Sequence, residues 1–279
     1  MTTIAVRGPS AADVYALGSD TAESARLRQQ SDELRPQSAE LLGRIGLKPG
    51  QSAIDIGCGP SGILDLLSAG VSPGGRVMGL DANPAHTAMA ARYAAERGLA
   101  NVEVVTADAR RTGLGSGRFD LVHARTLLIN VPDPAQVVAE MVRLARPGGV
   151  VAVAEPDTEH ALCYPPDPAF DRICAIFAVA FSRNGADPAI GRRVPELFCR
   201  AGLAEVEVES RTQMYPPGNS RRTVRLDLVN AMRPQIVEMG LASGRELDEL
   251  DAAARPHLED PRTVVMSGLL FLAWGRKPA

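Results

Sequence analysis

The stretch that most constrains this chain is Ala53-Ile54-Asp55-Ile56-Gly57-Cys58-Gly59-Pro60-Ser61-Gly62. Apolar residues run into Asp55, and Gly57, Gly59 and Gly62 then fall in the spacing G-x-G-x-x-G. A strand feeding a glycine-rich turn and then a helix presents bare backbone to a nucleotide-like ligand. Glycine suits such a turn because a Cβ would stand where the ligand must approach. With 26 glycines among 279 residues the spacing alone is weak, and the residues that follow strengthen it.

Residues 75–81 read as a strand ending at Asp81. Asp81 lies 81 − 62 = 19 positions after the last glycine, close to the ~20 expected of a ribose-binding carboxylate. Residues 102–106 read as another strand, with Asp108 just beyond it. Carboxylates at the carboxyl ends of successive parallel strands face the ligand crevice of an open α/β sheet. Any one of them alone reads more readily as a turn residue or helix cap, and it is the joint pattern with the glycine turn that favours a ligand site.

The chain resembles the class I S-adenosylmethionine-dependent methyltransferases. Within them it is similar to the ubiquinone/menaquinone C-methyltransferase-like group, which includes bacterial natural-product tailoring enzymes. The motifs that carry the resemblance are Asp55–Gly59, Gly79–Asn83, Ala107–Ala109, Phe119–Arg125 and Leu144–Gly149, in that order. Tyr15–Gly18 with Glu23, Arg26, Leu27 and Gln30, then Asp187–Arg192 and Ala273–Pro278, extend it less specifically. The resemblance implies S-adenosyl-L-methionine as cofactor and no metal. It assigns cofactor binding to Asp55, Gly57, Cys58 and Gly59, to Asp81, Ala82 and Asn83, to Asp108 and Ala109, and to Arg125, with Tyr15 and Gln30 closing from an N-terminal cap. One departure matters. Where many relatives carry a histidine after the fourth strand, this chain reads Leu127-Leu128-Ile129-Asn130-Val131, so no general base transfers to that position.

The implied fold is α/β: a Rossmann-like, seven-stranded, mostly parallel sheet with helices on both faces and the last strand antiparallel. Strand and helix signals support it by alternating: strand 52–56, helix 61–69, strand 75–80, helix 84–97, strands 102–106 and 118–123, helix 134–145, strand 149–155. Helical signals at 20–46, split by Pro36, precede them, and residues 1–9 read as disordered. After residue 157 come helical stretches at 168–183, 193–202, 220–239 and 244–255, and strands at 204–211 and 264–274. One methyltransferase domain is expected over 1–279. It comprises a helical cap at 1–46, a cofactor core at 47–157, helical lid insertions at 158–203 and 220–256, and closing strands at 204–212 and 264–275.

Phe170, Phe177 and Phe181 are spaced 7 and 4 apart and share a helix face. Phe177 and Phe181, with Tyr164, are the candidate substrate contacts; ordinary core packing is the competing reading of the rings. His160, past the fifth strand at the crevice rim, is the candidate catalytic base, with Glu155 similarly placed. His123, inside a strand, reads as structural, and His86 and His257 as surface residues.

Net charge of −3 and pI ≈ 5.9 give no field that attracts polyanions. No Asn/Asp-Pro-Pro-aromatic motif follows the fourth strand. Nucleic acid is therefore not an expected partner, and a small hydrophobic molecule is. The four cysteines form no C-x-x-C pair, which fits a reducing cytoplasm. No leader pattern and no run of ~18 apolar residues is present, so no membrane association is expected. A homo-oligomer stays open. The functions that compete are a nicotinamide-dependent oxidoreductase, a cofactor-assisted cyclase or isomerase on the same fold, and a cofactor-binding protein without turnover.

Overall fold

The computed structural model describes residue 27 and residues 29–279. Tyr15, Glu23 and Arg26, and the segment 1–9, lie outside the described residues. Helix α1 (Arg35–Ile45) carries Pro36 in its first turn and stops at Gly46 in the left-handed conformation, φ 70°. Then follow β1 (Ser52–Ile56), α2 (Leu64–Val71), β2 (Arg76–Asp81), α3 (Pro84–Glu96), β3 (Val102–Thr106), β4 (Phe119–Arg125), α4 (Pro134–Leu144) and β5 (Ala145–Asp157). The second half holds β6 (Leu162–Tyr164), α5 (Pro168–Arg183), α6 (Ile190–Arg200) and β7 (Ala204–Arg211). It closes with α7 (Val224–Ala231), α8 (Arg233–Glu238), α9 (Gly244–Glu259), β8 (Val264–Met266) and β9 (Leu269–Arg276).

Seven strands form one sheet in the order β3-β2-β1-β4-β5-β9-β7. The first five pair parallel, and β9 runs antiparallel to both of its neighbours. The order reverses at β1, and the carboxyl ends of β1 and β4 flank that switch point, where open α/β sheets hold their ligands.

Successive side chains on each central strand point to opposite faces. Ile54, Ile56, Val122, Ala124, Val151 and Val153 enter the core that contains α4, α5 and α6. Ala53, Leu121, Ala152 and Leu272 enter the other, with Leu41 of α1 and Leu64 and Leu67 of α2. Both faces are thus covered, which is why these strands read as near-continuous apolar runs.

Several boundaries differ from the sequence expectation, and three of the differences have a clear local reason. Helix α2 starts at Leu64 rather than 61 because Gly62 sits at φ +52°, outside the helical region. The single helix expected over 220–239 is a 3-10 turn followed by α7 and α8. It breaks before Pro234, which has no N–H to give to a continuing helix. The strand expected over 264–274 is interrupted at Gly268, where a Cβ would meet the Asp157 carbonyl oxygen at 2.3 Å. Its first piece, β8, leaves to pair with β6, a three-residue strand that carries no periodic signal.

Candidate functional site

The glycine turn after β1 is pinned from below. The Gly57 and Cys58 N–H groups both donate to the Leu80 carbonyl at the end of β2 (2.7 and 2.9 Å). Asp55 lies beneath the turn, 2% exposed. Its Oδ2 accepts from the Ile63 N–H (3.1 Å), and its Oδ1 accepts from His123 Nδ1 (2.7 Å), its register partner on β4. A Cβ at Gly62 would stand 2.2 Å from Asp55 Oδ2, and one at Gly57 would stand 2.8 Å from Leu127 Cδ1. The protein's own packing thus already crowds a Cβ at both positions. Gly59 is different: nothing stands within 4 Å of its Cβ position, and its N–H donates to Asp81 Oδ2 (2.9 Å).

A cavity of ≈ 410 Å³ opens at the carboxyl ends of the strands, within the range of small-molecule sites. Gln30, Gly57, Gly59, Asp81, Ala82, Asn83, Asp108, Ala109 and Arg125 all line it. Asp55 and Cys58 do not. They border a narrower cleft behind the glycine turn, and the Cys58 side chain is buried against Gly79.

The acidic residues of the wall are oriented by main-chain donors. Asp81 Oδ1 accepts from the Asn83 N–H (2.9 Å), and with Gly59 on Oδ2 each oxygen keeps a lone pair for a ligand. Asp108 Oδ1 accepts from the Arg110 N–H (2.8 Å), and the Arg110 guanidinium grips the same carboxylate, which holds its pKa below the usual range. Arg125 donates to Ser31 Oγ (2.8 Å) and Ser38 Oγ (3.0 Å), and burial pushes its pKa down. Among the described residues no carboxylate forms an ion pair with it. Thr126, next along the chain, lines the cavity at φ +50°, a strained conformation for a β-branched residue.

The opposite wall comes from the second half of the chain. Phe177 and Phe181 line it, stacked with ring centroids 4.9 Å apart. Phe170 is 2% exposed and is core only. The cavity reaches further residues that sequence reasoning missed: Gln213, Tyr215, Arg221, Arg225 and Leu228. No spacing signal marks them, because they converge from separate segments.

Three candidates fall away from the cavity, and these are corrections. His160 sits on the 3-10 turn Thr158–His160 with its side chain 51% exposed, its Nε2 beside Arg192 (3.1 Å). Arg192 in turn pairs with the fully buried Asp157, so His160 belongs to the outer side of an ion cluster. Tyr164 is 66% exposed on β6 and faces away. Glu155, fully buried, accepts from the Leu127 and Leu128 N–H groups on Oε1 (2.9 Å each) and the Ile129 N–H on Oε2 (3.2 Å). It shapes the segment after β4 rather than meeting a substrate. Burial pushes its pKa up to about 7. His86 is buried rather than on the surface; it lines the cavity 3.5 Å from Asp81 Oδ1.

Among the described residues no three His, Cys, Asp or Glu side chains converge as a metal site, and no helix is long and apolar enough to cross a membrane.

Residues 47–180 match a family model described as a methyltransferase domain. The chain is 38% identical over 123 residues to nocamycin O-methyltransferase of Saccharothrix syringae, covering 44% of each chain. It is 28% identical over 185 residues to demethylmenaquinone methyltransferase of a Geobacillus strain, covering 62% of this chain and 79% of that one. The chain spans about half the length of the first curated relatives it matches. Among solved structures, phosphoethanolamine N-methyltransferase 2 of Haemonchus contortus with S-adenosyl-L-methionine superposes with a TM-score of 0.56. That match is at 21% identity and covers 88% of this chain and 53% of that one, and it bears on the fold.

Proposed function

We propose that the chain, whose residues 47–180 match a methyltransferase domain, is an S-adenosylmethionine-dependent methyltransferase and that it methylates a small, largely apolar molecule. The observation that carries the reading is one cavity with two unlike walls. The strand-end wall offers the glycine turn, Asp81, Asp108 and Arg125, and the facing wall offers Phe177 and Phe181. The match of residues 47–180 to a methyltransferase domain supports this reading over the nicotinamide alternative.

The residues present fit the family's cofactor. The open space at Gly59 admits a chain against bare backbone. Asp81 keeps one lone pair on each oxygen, enough for two ribose hydroxyls. Ala82 and Asn83 would flank the ribose, and Asp108 and Ala109 would take the adenine edge. Arg125, a buried cation with no carboxylate paired to it, would take the methionine carboxylate. Gln30 would close from the cap. The turn thus contributes through Gly57 and Gly59, while Asp55 and Cys58 act through the shape they give it.

When bound, the sulfonium would supply an electrophilic methyl with a neutral thioether as its leaving group. The chain's part is positioning and exclusion of water, with the stacked rings forming a dry wall. With His160 and Tyr164 outside the cavity, the reading needs no histidine base at the ring end. The nocamycin enzyme's similarity supports a natural-product substrate.

The test is calorimetric titration with S-adenosylmethionine, S-adenosylhomocysteine and NAD, on the parent and on Asp81→Ala. The sulfonium cofactor should bind and NAD should not. Asp81→Ala should weaken cofactor binding by about 2–4 kcal/mol, from two charge-assisted hydrogen bonds partly replaced by water. Binding within a factor of about two of the parent, with circular dichroism unchanged, would remove Asp81 as the ribose ligand.

A further inference from the structure

Arg225 is a charged group that the reading above does not use. It lies in the first turn of α7, and its guanidinium faces the cavity. Its Nη2 donates to the Thr158 carbonyl just past β5 (3.3 Å), and its Cζ stands 4.1 Å from the centre of the Phe177 ring. Its Nε is shut off from solvent and, among the described residues, has no acceptor. No carboxylate pairs with it. The ionisable groups that act on it are the Cys174 thiol, which burial pushes up to about 11, and the Tyr215 phenol, also pushed up by burial. Both are neutral at pH 7, so the cation is uncompensated.

A half-buried guanidinium without a counter-charge still loses part of its hydration, and proteins ordinarily pair such a group. The other arginines of this wall are paired: Arg221 with Glu33, and Arg211 with Glu40 and Glu209. Of these three, Arg225 is the one with no carboxylate partner among the described residues; its guanidinium meets the Thr158 carbonyl, the Cys174 thiol and the Phe177 ring. Its seat on the Phe177 face fixes the plane of the fork, and a planar fork matches an oxyanion. Burial lowers the Arg225 pKa, and a bound anion would reverse that.

Resting on the methyl-transfer reading of this cavity, we propose that Arg225 is a specificity residue that binds an anionic group of the substrate, and that the substrate is an apolar monocarboxylic acid. One cation at the ring end balances one negative charge, whereas a phosphate monoester brings nearly two. Phe177, Phe181 and Leu228 supply the apolar surroundings for the rest of the molecule.

The experiment uses the full chain saturated with S-adenosylhomocysteine. It is titrated calorimetrically with medium-chain and aryl-substituted carboxylic acids, each beside its primary amide and the phosphate monoester of the matching alcohol. At least one acid should bind about tenfold tighter than both counterparts. Arg225→Met should weaken that acid by about thirtyfold or more, and Arg225→Lys should restore part of the loss. The affinity for S-adenosylhomocysteine should stay within about twofold in both variants, which also shows that they are folded. Equal binding of acid and amide, tighter binding of the phosphate ester, an acid that ignores Arg225→Met, or no acid bound would each overturn the proposal. If the parent fails to bind S-adenosylhomocysteine, the methyl-transfer reading fails by itself. The same titrations without it still report on Arg225.

Discussion

The two sides of the molecule that meet at the cavity hold several of their charges by opposite means. At the strand ends, carboxylates are held by main-chain N–H groups: Asp55 by Ile63, Asp81 by Gly59 and Asn83, and Glu155 by Leu127, Leu128 and Ile129. In the helical half, Arg222 is 3% exposed and donates to four main-chain carbonyls. Those are Leu258 (2.5 Å), Tyr215 (2.7 Å), Asp260 (2.9 Å) and Thr263 (2.6 Å). The difference follows from what each half leaves unpaired. Tight turns at strand ends expose N–H groups, which suit anions. The segments around Arg222 expose carbonyls where α9 ends and β8 begins, which suit a cation. The acids reach donors 2 to 28 residues away along the chain, whereas Arg222 ties together segments up to 41 residues apart.

The largest effect that could break this comparison is therefore expected at Arg222. Arg222→Met keeps the apolar stem but leaves four buried carbonyls without a donor. At about 1–3 kcal/mol each, partly recovered through water, the loss should reach about 4–6 kcal/mol. Urea unfolding measures it. A loss below about 1 kcal/mol would mean that the helical half does not depend on this tie.

The same contrast explains what could be read from the sequence. The strand-end half was legible because its signals are local. The ends of β1 and β3 match the expected positions, Asp81 stands at the end of β2, and Pro134 opens α4. Even there the motif did not tell that Asp55 and Cys58 border the adjoining narrow cleft rather than the larger cavity. A motif gives position along the chain, but not whether a side chain faces the cavity or the floor of the turn. The pairing of Asp55 with His123 joins residues 68 positions apart and shows only through strand register. In the helical half the decisive residues leave no period. Arg222 and Arg225 stand in an arginine-rich chain whose only lysines are Lys48 and Lys277, so nothing singles them out. The ion cluster that pulls His160 aside depends on Arg192, 32 residues later.

The phenylalanines on α5 sharpen the comparison within one helix. Phe170 is packed in core alone, and its truncation to Ala should cost about 3–5 kcal/mol. Phe177 and Phe181 each have one side on the cavity, so each should cost less, about 1–3 kcal/mol. Those two variants should instead raise KM or lower kcat on a true substrate while leaving cofactor affinity alone. Thermal unfolding of the three variants, with cofactor titration, separates them. Three equal losses near the core value, with normal turnover, would make the helix face plain core.

The smallest expected effect tests whether N–H groups or burial dominates at Glu155. Burial raises its pKa to about 7 against the three N–H groups that favour the carboxylate. The folded protein then keeps a proton that the unfolded chain, with a pKa near 4.5, has released. Between those values the folded state binds more protons, so stability falls as pH rises from about 4.5 to about 7. The fall should be about 1–3 kcal/mol, the upper end being the full shift at ~1.4 kcal/mol per pH unit. Glu155→Gln removes the titration, at the cost of setting an amide NH₂ against a main-chain donor. It should be less stable at low pH but flatter across this window. Urea unfolding of both proteins at intervals from pH 5 to about 8 gives the difference curve. A parent that gains stability over the variant as pH rises would show the N–H groups winning. Glu155 would then be a true counterpart of Asp55 and Asp81, a carboxylate held charged by the turn it shapes.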